Sequence, residues 1–325
     1  MPIPAVMHER LRLPVIGAPM FIVSVPALVI AQCQAGIVGC FPALNARPKE
    51  MLEIWIVEIK EALAAFEAAT GRKAAPFAVN QIVHASNDRL EHDVAVCVRQ
   101  RVPIVITSLR PPSEVVEAVH SYDGIVLHDV ISIRHAEKAL EQGVDGLILV
   151  CAGAGGHAGT LSPFALVSEI RRFYDGMVIL SGAITNGRAI LAAQAIGADL
   201  AYIGTRFIAT SEANAAEGYK RMLVENAAKD IVYTDAISGV HGNYLRPSLV
   251  AAGLDPDNLP EGGKGKMNFA ARERNRPTAW RDIWGAGQGL GSIDDVPTVA
   301  VLVERLRAEY AEAGRAFDAA RLTIE

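Results

Sequence analysis

The chain has 325 residues, of which 51% are hydrophobic and 21% are charged, and its formal net charge is −5 at pH 7. This composition supports a large folded core, and the absence of a block of Lys and Arg argues against a nucleic-acid or anionic-membrane partner. The length accommodates either two domains or one α/β barrel with an additional segment.

The amino-terminal region predicts neither a secretion signal nor a membrane span. The first 13 residues carry charges and two prolines instead of the apolar centre of a signal peptide. The apolar stretch over 21–41 contains polar residues and Gly36, which is typical of a buried helix followed by a strand. We therefore expect a cytoplasmic protein. Its four cysteines show no CxxC or metal-ligand spacing, and core filling is the favoured role even for Cys151.

Short apolar runs alternate with helix-length segments through the first two thirds of the chain. Apolar residues at three- and four-residue spacing predict helices over 50–69, 131–142 and 188–196, and glycines at 71, 143 and 197 are expected to end them. Eight strand-then-helix units favour a (β/α)8 TIM barrel over a doubly wound sheet. The lack of a Gly-x-Gly-x-x-Gly turn after the first strand also favours the barrel. The predicted strands cover 14–18, 37–41, 77–81, 104–107, 124–127, 146–150, 178–181 and 200–203.

This alternation stops after Thr210. Residues 212–228 predict a helix, and 253–266 are too rich in Pro, Gly and Asp for a core strand. An amphipathic helix is predicted over 296–313, with Gly314 placed to cap or interrupt it. We assign 1–210 and 282–325 to the barrel and 211–281 to a small, mainly helical lid domain. The loop over 255–266 is expected to be the most mobile part of this lid.

The most informative motif is a glycine-rich run with one histidine, Gly153-Ala154-Gly155-Gly156-His157-Ala158-Gly159. It directly follows an apolar strand, and residues that follow barrel strands line the active-site mouth. Glycines let the backbone approach a flat ligand closely. The motif therefore favours an active-site wall over the alternative, a flexible surface turn with a solvated histidine.

The ends of the first and third predicted strands carry further candidates. Ala18-Pro19-Met20 follows the first strand, and the Met20 side chain suits either a flat ring or core packing. Asn80, near the end of the third strand, offers two donors and an acceptor, which suit the edge of a pyrimidine ring or a turn.

Small residues follow the seventh and eighth predicted strands, in the loops that bind phosphate in many barrels. These are Ser181-Gly182-Ala183 and Gly204-Thr205. Small residues at a helix start expose backbone N–H groups to an anion. The two loops together predict a phosphate-bearing ligand.

In combination these motifs resemble the nitronate monooxygenase family, formerly called 2-nitropropane dioxygenase. The matching residues, in chain order, are Gly17-Ala18-Pro19-Met20, Asn80, Gly155-Gly156-His157-Ala158-Gly159, Ser181-Gly182-Ala183-Ile184, Gly204-Thr205-Arg206-Phe207 and Ala286-Gly287-Gln288. The resemblance implies a barrel that holds non-covalent FMN beneath a small lid, with His157 over the substrate. It implies cofactor contacts from Ala18, Pro19, Met20, Asn80, Ala154, Gly155, Gly156, Ser181, Gly182, Ala183, Gly204, Thr205 and Gln288.

One position departs from the family pattern. Some relatives carry a flavin-contacting Lys after a histidine that resembles His128, whereas this chain has Asp129 there. A carboxylate would not stabilise an anionic reduced flavin as Lys does. Tyr244, in the insertion, is a further candidate for the substrate side.

The resemblance implies oxidation of alkyl nitronates, and of nitroalkanes as further substrates, by O2 to carbonyl compounds and nitrite. His157 would act either as the base that removes the α-proton of a nitroalkane or, when protonated, as a cation that holds the nitro group. The alternatives are an NAD(P)H-dependent flavin reductase of a quinone or an enoyl thioester, and a phosphate-binding barrel without redox chemistry. A small-molecule substrate and O2 are the expected partners, no metal is expected, and a homodimer is compatible with the sequence.

Overall fold

A computed structural model describes residues 3–260 and 280–320. Eight parallel strands form one sheet in the order β1-β9-β8-β6-β5-β4-β3-β2. A parallel bridge between Ile16 and Val38 joins β1 to β2 and closes the sheet into the predicted barrel. The strands are β1 Val15–Gly17, β2 Gly39–Pro42, β3 Phe77–Val83, β4 Ile104–Leu109, β5 Ile125–Val130, β6 Gly146–Val150, β7 Gly156–His157, β8 Met177–Ser181, β9 Leu200–Ile203, β10 Ile231–Thr234 and β11 Gly242–Leu245.

Helices follow the barrel strands and form the outer layer. The last long helix packs against α8 and α2, so it takes the eighth helical place of the barrel. The helices are α1 Ala5–His8, α2 Pro26–Ala35, α3 Met51–Thr70, α4 Leu90–Arg99, α5 Ser113–His120, α6 Ile133–Leu140, α7 Pro163–Ile170, α8 Gly187–Ala195, α9 Thr205–Ile208, α10 Glu217–Glu225, α11 Arg246–Ala251 and α12 Val299–Ala320. None of the helices in the described part of the chain is long and apolar enough to cross a membrane.

Side-chain alternation along the strands divides the core into two layers. One cluster fills the barrel interior with residues such as Ile106, Leu127 and Ile148, and Met7 of α1 packs beneath them. The alternate residues of the same strands, such as Val105 and Val126, pack outward against the helices. Strands buried on both faces explain why the sequence shows continuous apolar runs there.

Most predicted elements lie where the sequence places them, with differences at their ends. β6 and β9 match the predicted bounds, whereas β3, β4 and β5 extend farther at their carboxyl ends. The extensions of β4 and β5 carry the polar residues Ser108, His128 and Asp129. Gly71 ends α3 in the left-handed conformation, as predicted. Gly314, in contrast, lies inside α12 and does not end it. The helix predicted over 212–228 is shorter and forms only α10.

The insertion between α9 and α12 contains strands that the sequence analysis did not predict. β10 and β11 form an antiparallel hairpin between α10 and α11, and β11 also pairs with β7, which carries His157. This pairing attaches the insertion to the glycine-rich loop. The predicted mobile loop over 255–266 lies outside the described residues from 261 onward.

Candidate active site

A cavity of about 370 Å³ opens at the carboxyl ends of the barrel strands. All but one of the residues predicted for the site line this cavity. They are Ala18, Pro19, Met20, Asn80, Ala154, Gly155, Gly156, His157, Ser181, Gly182, Ala183, Gly204 and Thr205. Gln288 is the exception, although its backbone N–H donates to the Gly153 carbonyl (2.9 Å) at the cavity wall.

The phosphate-binding role predicted for the last two strand ends fits the backbone found there. Among the described residues, the N–H groups of Gly182, Gly204 and Thr205 have no hydrogen-bond partner. Gly182 has φ +142°, and a Cβ atom there would lie 2.8 Å from the Ala152 carbonyl oxygen. Only glycine adopts this conformation readily, so Gly182 keeps the turn open towards the cavity in a geometry compatible with an anion.

The glycine-rich loop packs backbone to backbone against the segment that contains Gln288. A Cβ atom on Gly155 would lie 2.8 Å from the Gly287 nitrogen and 2.9 Å from Thr205 Oγ1. The Gly287 N–H donates to that same Thr205 hydroxyl at 2.9 Å. Glycines are needed here because three chain segments meet without room for side chains.

Polar side chains from three neighbouring strands form a chain of hydrogen bonds on the cavity floor. Asn80 of β3 donates from Nδ2 to Ser108 Oγ of β4 at 2.9 Å. Ser108 in turn donates to Asp129 Oδ2 of β5 at 2.6 Å. Because Nδ2 of Asn80 already donates to Ser108, Oδ1 of Asn80 is the atom left to accept a hydrogen bond from a ligand.

Within this series of hydrogen bonds, Asp129 is the residue whose surroundings disfavour its charged form. Its second oxygen, Oδ1, is buried and has no partner among the described residues, and the same holds for the Tyr202 hydroxyl. Burial raises the pKa of Asp129 to about 6, and the Ser108 hydrogen bond opposes this rise. The sequence analysis flagged Asp129 as a departure but did not predict that Ser108 holds it.

The raised pKa of Asp129 predicts how stability depends on pH. An ionised Asp129 opposes folding, and this penalty is absent below the ordinary pKa of 3.8 and complete above about 6. We expect Asp129→Asn to raise the free energy of unfolding of the protein by roughly 3 kcal/mol at pH 8, with little effect at pH 3.5. Urea titrations at the two pH values measure this. Equal effects at both would contradict it, and Asp123→Asn, at an exposed position, is the matched control.

His157 is held by the insertion. Its Nε2 lies 2.9 Å from Ser238 Oγ, and its ring meets the Trp280 indole edge to face with centroids 5.5 Å apart. Ser238 also donates to the Val240 carbonyl at 3.0 Å and accepts from the Tyr244 hydroxyl at 3.0 Å. Because Ser238 donates its only hydroxyl proton to Val240, it can only accept from His157. The network therefore favours a hydrogen on Nε2 of His157 and leaves Nδ1 as the acceptor.

Burial also determines the charge of His157. It lowers the pKa of the imidazole to about 4, so the ring is neutral at pH 7. A neutral ring with a free Nδ1 can accept a proton but cannot attract an anion by charge. Of the two roles left open by the sequence, the neutral charge state argues against the cation that holds the nitro group.

The sequence analysis missed the aromatic residues that the insertion adds to the cavity. Trp280 and Tyr219 line it, and the Tyr219 ring stacks on Trp284 at 5.0 Å while its hydroxyl donates to the Gly285 carbonyl. Tyr244, a candidate for the substrate side, instead lies fully buried behind Ser238 and does not line the cavity. Local sequence carried no signal for Trp280 as a cavity residue, because its ring contacts His157 and Tyr244, which lie far away in sequence.

Permanently cationic side chains and cysteines are absent from the cavity lining in the described ranges. Within residues 3–260 and 280–320, no Lys or Arg lines the cavity and no group of His, Cys, Asp and Glu could hold a metal ion. Cys151 is buried in the outer core, as expected, and does not reach the cavity.

Comparisons with known proteins agree with this geometry. The family model described as nitronate monooxygenase matches residues 6–309. A nitronate monooxygenase of Paraburkholderia phytofirmans is 30% identical, over 91% of this chain and 92% of that protein. A (3aS,4S,5R,7aS)-5-hydroxy-7a-methyl-1-oxo-octahydro-1H-indene-4-carboxyl-CoA dehydrogenase of Mycobacterium tuberculosis is 26% identical, over 81% of this chain and 69% of its own. The structure of nitroalkane oxidase from Streptomyces ansochromogenes shares the fold, with a TM-score of 0.76, 24% identity and coverage of 96% and 100%.

Proposed function

Because this chain belongs to the nitronate monooxygenase family of oxidoreductases, we propose that it oxidises alkyl nitronates with O2 to carbonyl compounds and nitrite, using FMN. The observation that carries the proposal is the group of backbone N–H donors at Gly182, Gly204 and Thr205, which have no partner among the described residues and line one cavity with His157. These donors suit the phosphate of FMN, and His157 would face the substrate.

The cavity residues fit FMN better than FAD. Gly182, Gly204 and Thr205 would hold one phosphate, and Met20 and the Oδ1 atom of Asn80 would border the ring. The sequence has no second glycine fingerprint for the adenylate half of FAD. When bound, FMN supplies the capacity to take electrons from a carbanion-like donor and pass them to O2.

His157 would act on the substrate. A nitronate is already a carbanion and needs no base, whereas a neutral nitroalkane must lose its α-proton. Nδ1 of His157 is free to take that proton, and Ser238 keeps the ring oriented through Nε2. We propose that nitroalkanes, if used, depend on His157 more strongly than nitronates do.

The insertion would act as a lid over this chemistry. It contributes Tyr219, Val240, His241 and Trp280 to the cavity, and β11 fixes it to the strand of His157. These bulky side chains would limit substrate size and exclude water. Trp280→Ala is expected to widen the range of accepted nitronates towards longer chains, measured as the ratio of kcat/KM for long and short substrates. An unchanged ratio would contradict the lid role.

The purified protein tests the cofactor and the reaction together. We expect heat to release a flavin that chromatographs as FMN, and FAD or no flavin after reconstitution would refute the proposal. Under anaerobic conditions, an alkyl nitronate should bleach the flavin and NADH or NADPH should not. Subsequent admission of O2 should restore the colour and yield nitrite.

A second function is supported by one relative. The dehydrogenase of Mycobacterium tuberculosis named above acts on a carboxyl-CoA compound and aligns over 81% of this chain. A flavin enzyme acting on a thioester, including an NAD(P)H-dependent reductase of an enoyl thioester, is therefore the alternative. Rapid anaerobic bleaching by NADH or NADPH, followed by reoxidation with an enoyl thioester, would favour it.

A further inference from the structure

Asp129 of β5 lies on the cavity floor and lines the cavity beside Ser108. No Lys or Arg from the described ranges lines the cavity. Tyr202 of β9 and Cys40 of β2 are titratable groups beside Asp129 inside the barrel. Burial raises the pKa of both well above the ordinary values, and the charge of Asp129 adds to the rise. His135, His157 and His241 are the histidines that line the cavity wall.

Residues 3–260 and 280–320 therefore offer no permanent cation to a ligand in the cavity that gains negative charge. His157 is neutral at pH 7 because burial lowers its pKa. A carboxylate near a second negative charge binds a proton more tightly, since like charges oppose ionisation. The oxygen available for that proton is Oδ1, which is buried and has no partner in the described part of the chain, because Oδ2 already accepts from Ser108.

Taking these contacts together, we propose that Asp129 takes up a proton when the flavin bound in this cavity is reduced. The proposal rests on the FMN site proposed above. Bound FMN would supply a two-electron acceptor for a carbanion-like donor and would take up one proton from solvent, while Asp129 takes up a second proton from solvent. An O–H bond forms at Oδ1, no protein bond breaks, and the donor is oxidised by two electrons. Asp129 thereby replaces a basic residue as the group that limits the negative charge of the site.

The midpoint potential of the FMN-loaded protein tests this coupling without any turnover. For a two-electron couple, each proton taken up adds a tenfold change in equilibrium constant per pH unit, or about 30 mV. In dithionite titrations, the midpoint potential of the wild type should fall by about 60 mV per pH unit over an interval that begins above pH 6. The midpoint potential of Asp129→Asn should fall by about 30 mV per pH unit over the same interval. Ser108→Ala removes the hydrogen bond that lowers the Asp129 pKa, so its interval should begin at higher pH.

Infrared difference spectra identify the group that receives the second proton. On reduction, the wild type should gain the C=O band of a protonated carboxyl, and Asp129→Asn should lack it. Asp123→Asn, which removes an exposed carboxylate before β5, should behave as the wild type in both measurements. If Asp129→Asn does not bind FMN, the wild-type band and the Ser108→Ala shift still decide the question.

The possible failures are distinct. A protein that binds no FMN refutes the proposed function. A protein that binds FMN but shows no carboxyl band, and the same slope in the wild type and Asp129→Asn, refutes only the protonation of Asp129. A second proton that persists in Asp129→Asn would place it on the flavin instead and would also overturn the inference.

Discussion

Replacing His157 with Ala is expected to lower kcat/KM for a neutral nitroalkane by roughly 10²–10⁴, the usual contribution of a positioned base. The loss for a preformed nitronate should be smaller, because its α-proton is already gone. FMN should remain bound, since the free N–H groups of the phosphate loops belong to other segments. Steady-state assays with both substrates, and the flavin absorbance of the purified variant, measure these effects.

The pH profile adds an independent check on His157. The neutral ring is the active form, and its pKa is about 4, so wild-type kcat/KM for a nitroalkane should rise with pH through about 4 and then level off. His157→Ala should lose this rise. His135→Ala, at another histidine on the cavity wall, is the matched control and should retain the wild-type profile. Equal losses for nitroalkane and nitronate would show that His157 shapes the pocket or binds the anion.

Gly182→Ala is expected to weaken FMN binding strongly. Its φ of +142° suits glycine, and a Cβ atom would lie 2.8 Å from the Ala152 carbonyl oxygen. In Gly182→Ala the loop must therefore move away from this conformation. Restoring the conformation in which the N–H of residue 182 faces a phosphate costs roughly 1–3 kcal/mol of binding free energy. That range corresponds to a Kd raised by roughly 5–150-fold. Fluorescence titration of flavin-free protein with FMN measures the change.

Gly71→Ala separates this effect from general backbone strain. Gly71 also has a positive φ, +67°, but a Cβ atom there would meet nothing within 4 Å, and it lies at the end of α3 away from the cavity. We expect it to lower stability and leave the FMN Kd unchanged. Wild-type affinity in Gly182→Ala would mean that the phosphate is bound elsewhere.

The sequence determined the barrel and most of the predicted cavity wall. Strands buried on both faces show as apolar runs, and helices show their periodic apolar face, so the eight units could be counted. Because barrel topology brings every strand's carboxyl end to one mouth, Asn80, His157, Gly182 and Gly204 could be placed together before any coordinates. Within the eight barrel strands, the differences lie at the strand ends, and β3, β4 and β5 run farther into the mouth than predicted.

Only the tertiary structure decided how these residues are held and charged. The His157 contact with Ser238 spans 81 positions, and Trp280 reaches the same ring from farther along the chain. The insertion's hairpin gave no clear local pattern, since its strands are half-exposed or pair with the glycine-rich loop. Likewise, Asp129 acquires its raised pKa from burial inside the barrel. Strand position follows from local periodicity, whereas hydrogen-bond partners and pKa values depend on neighbours that only the folded chain assembles.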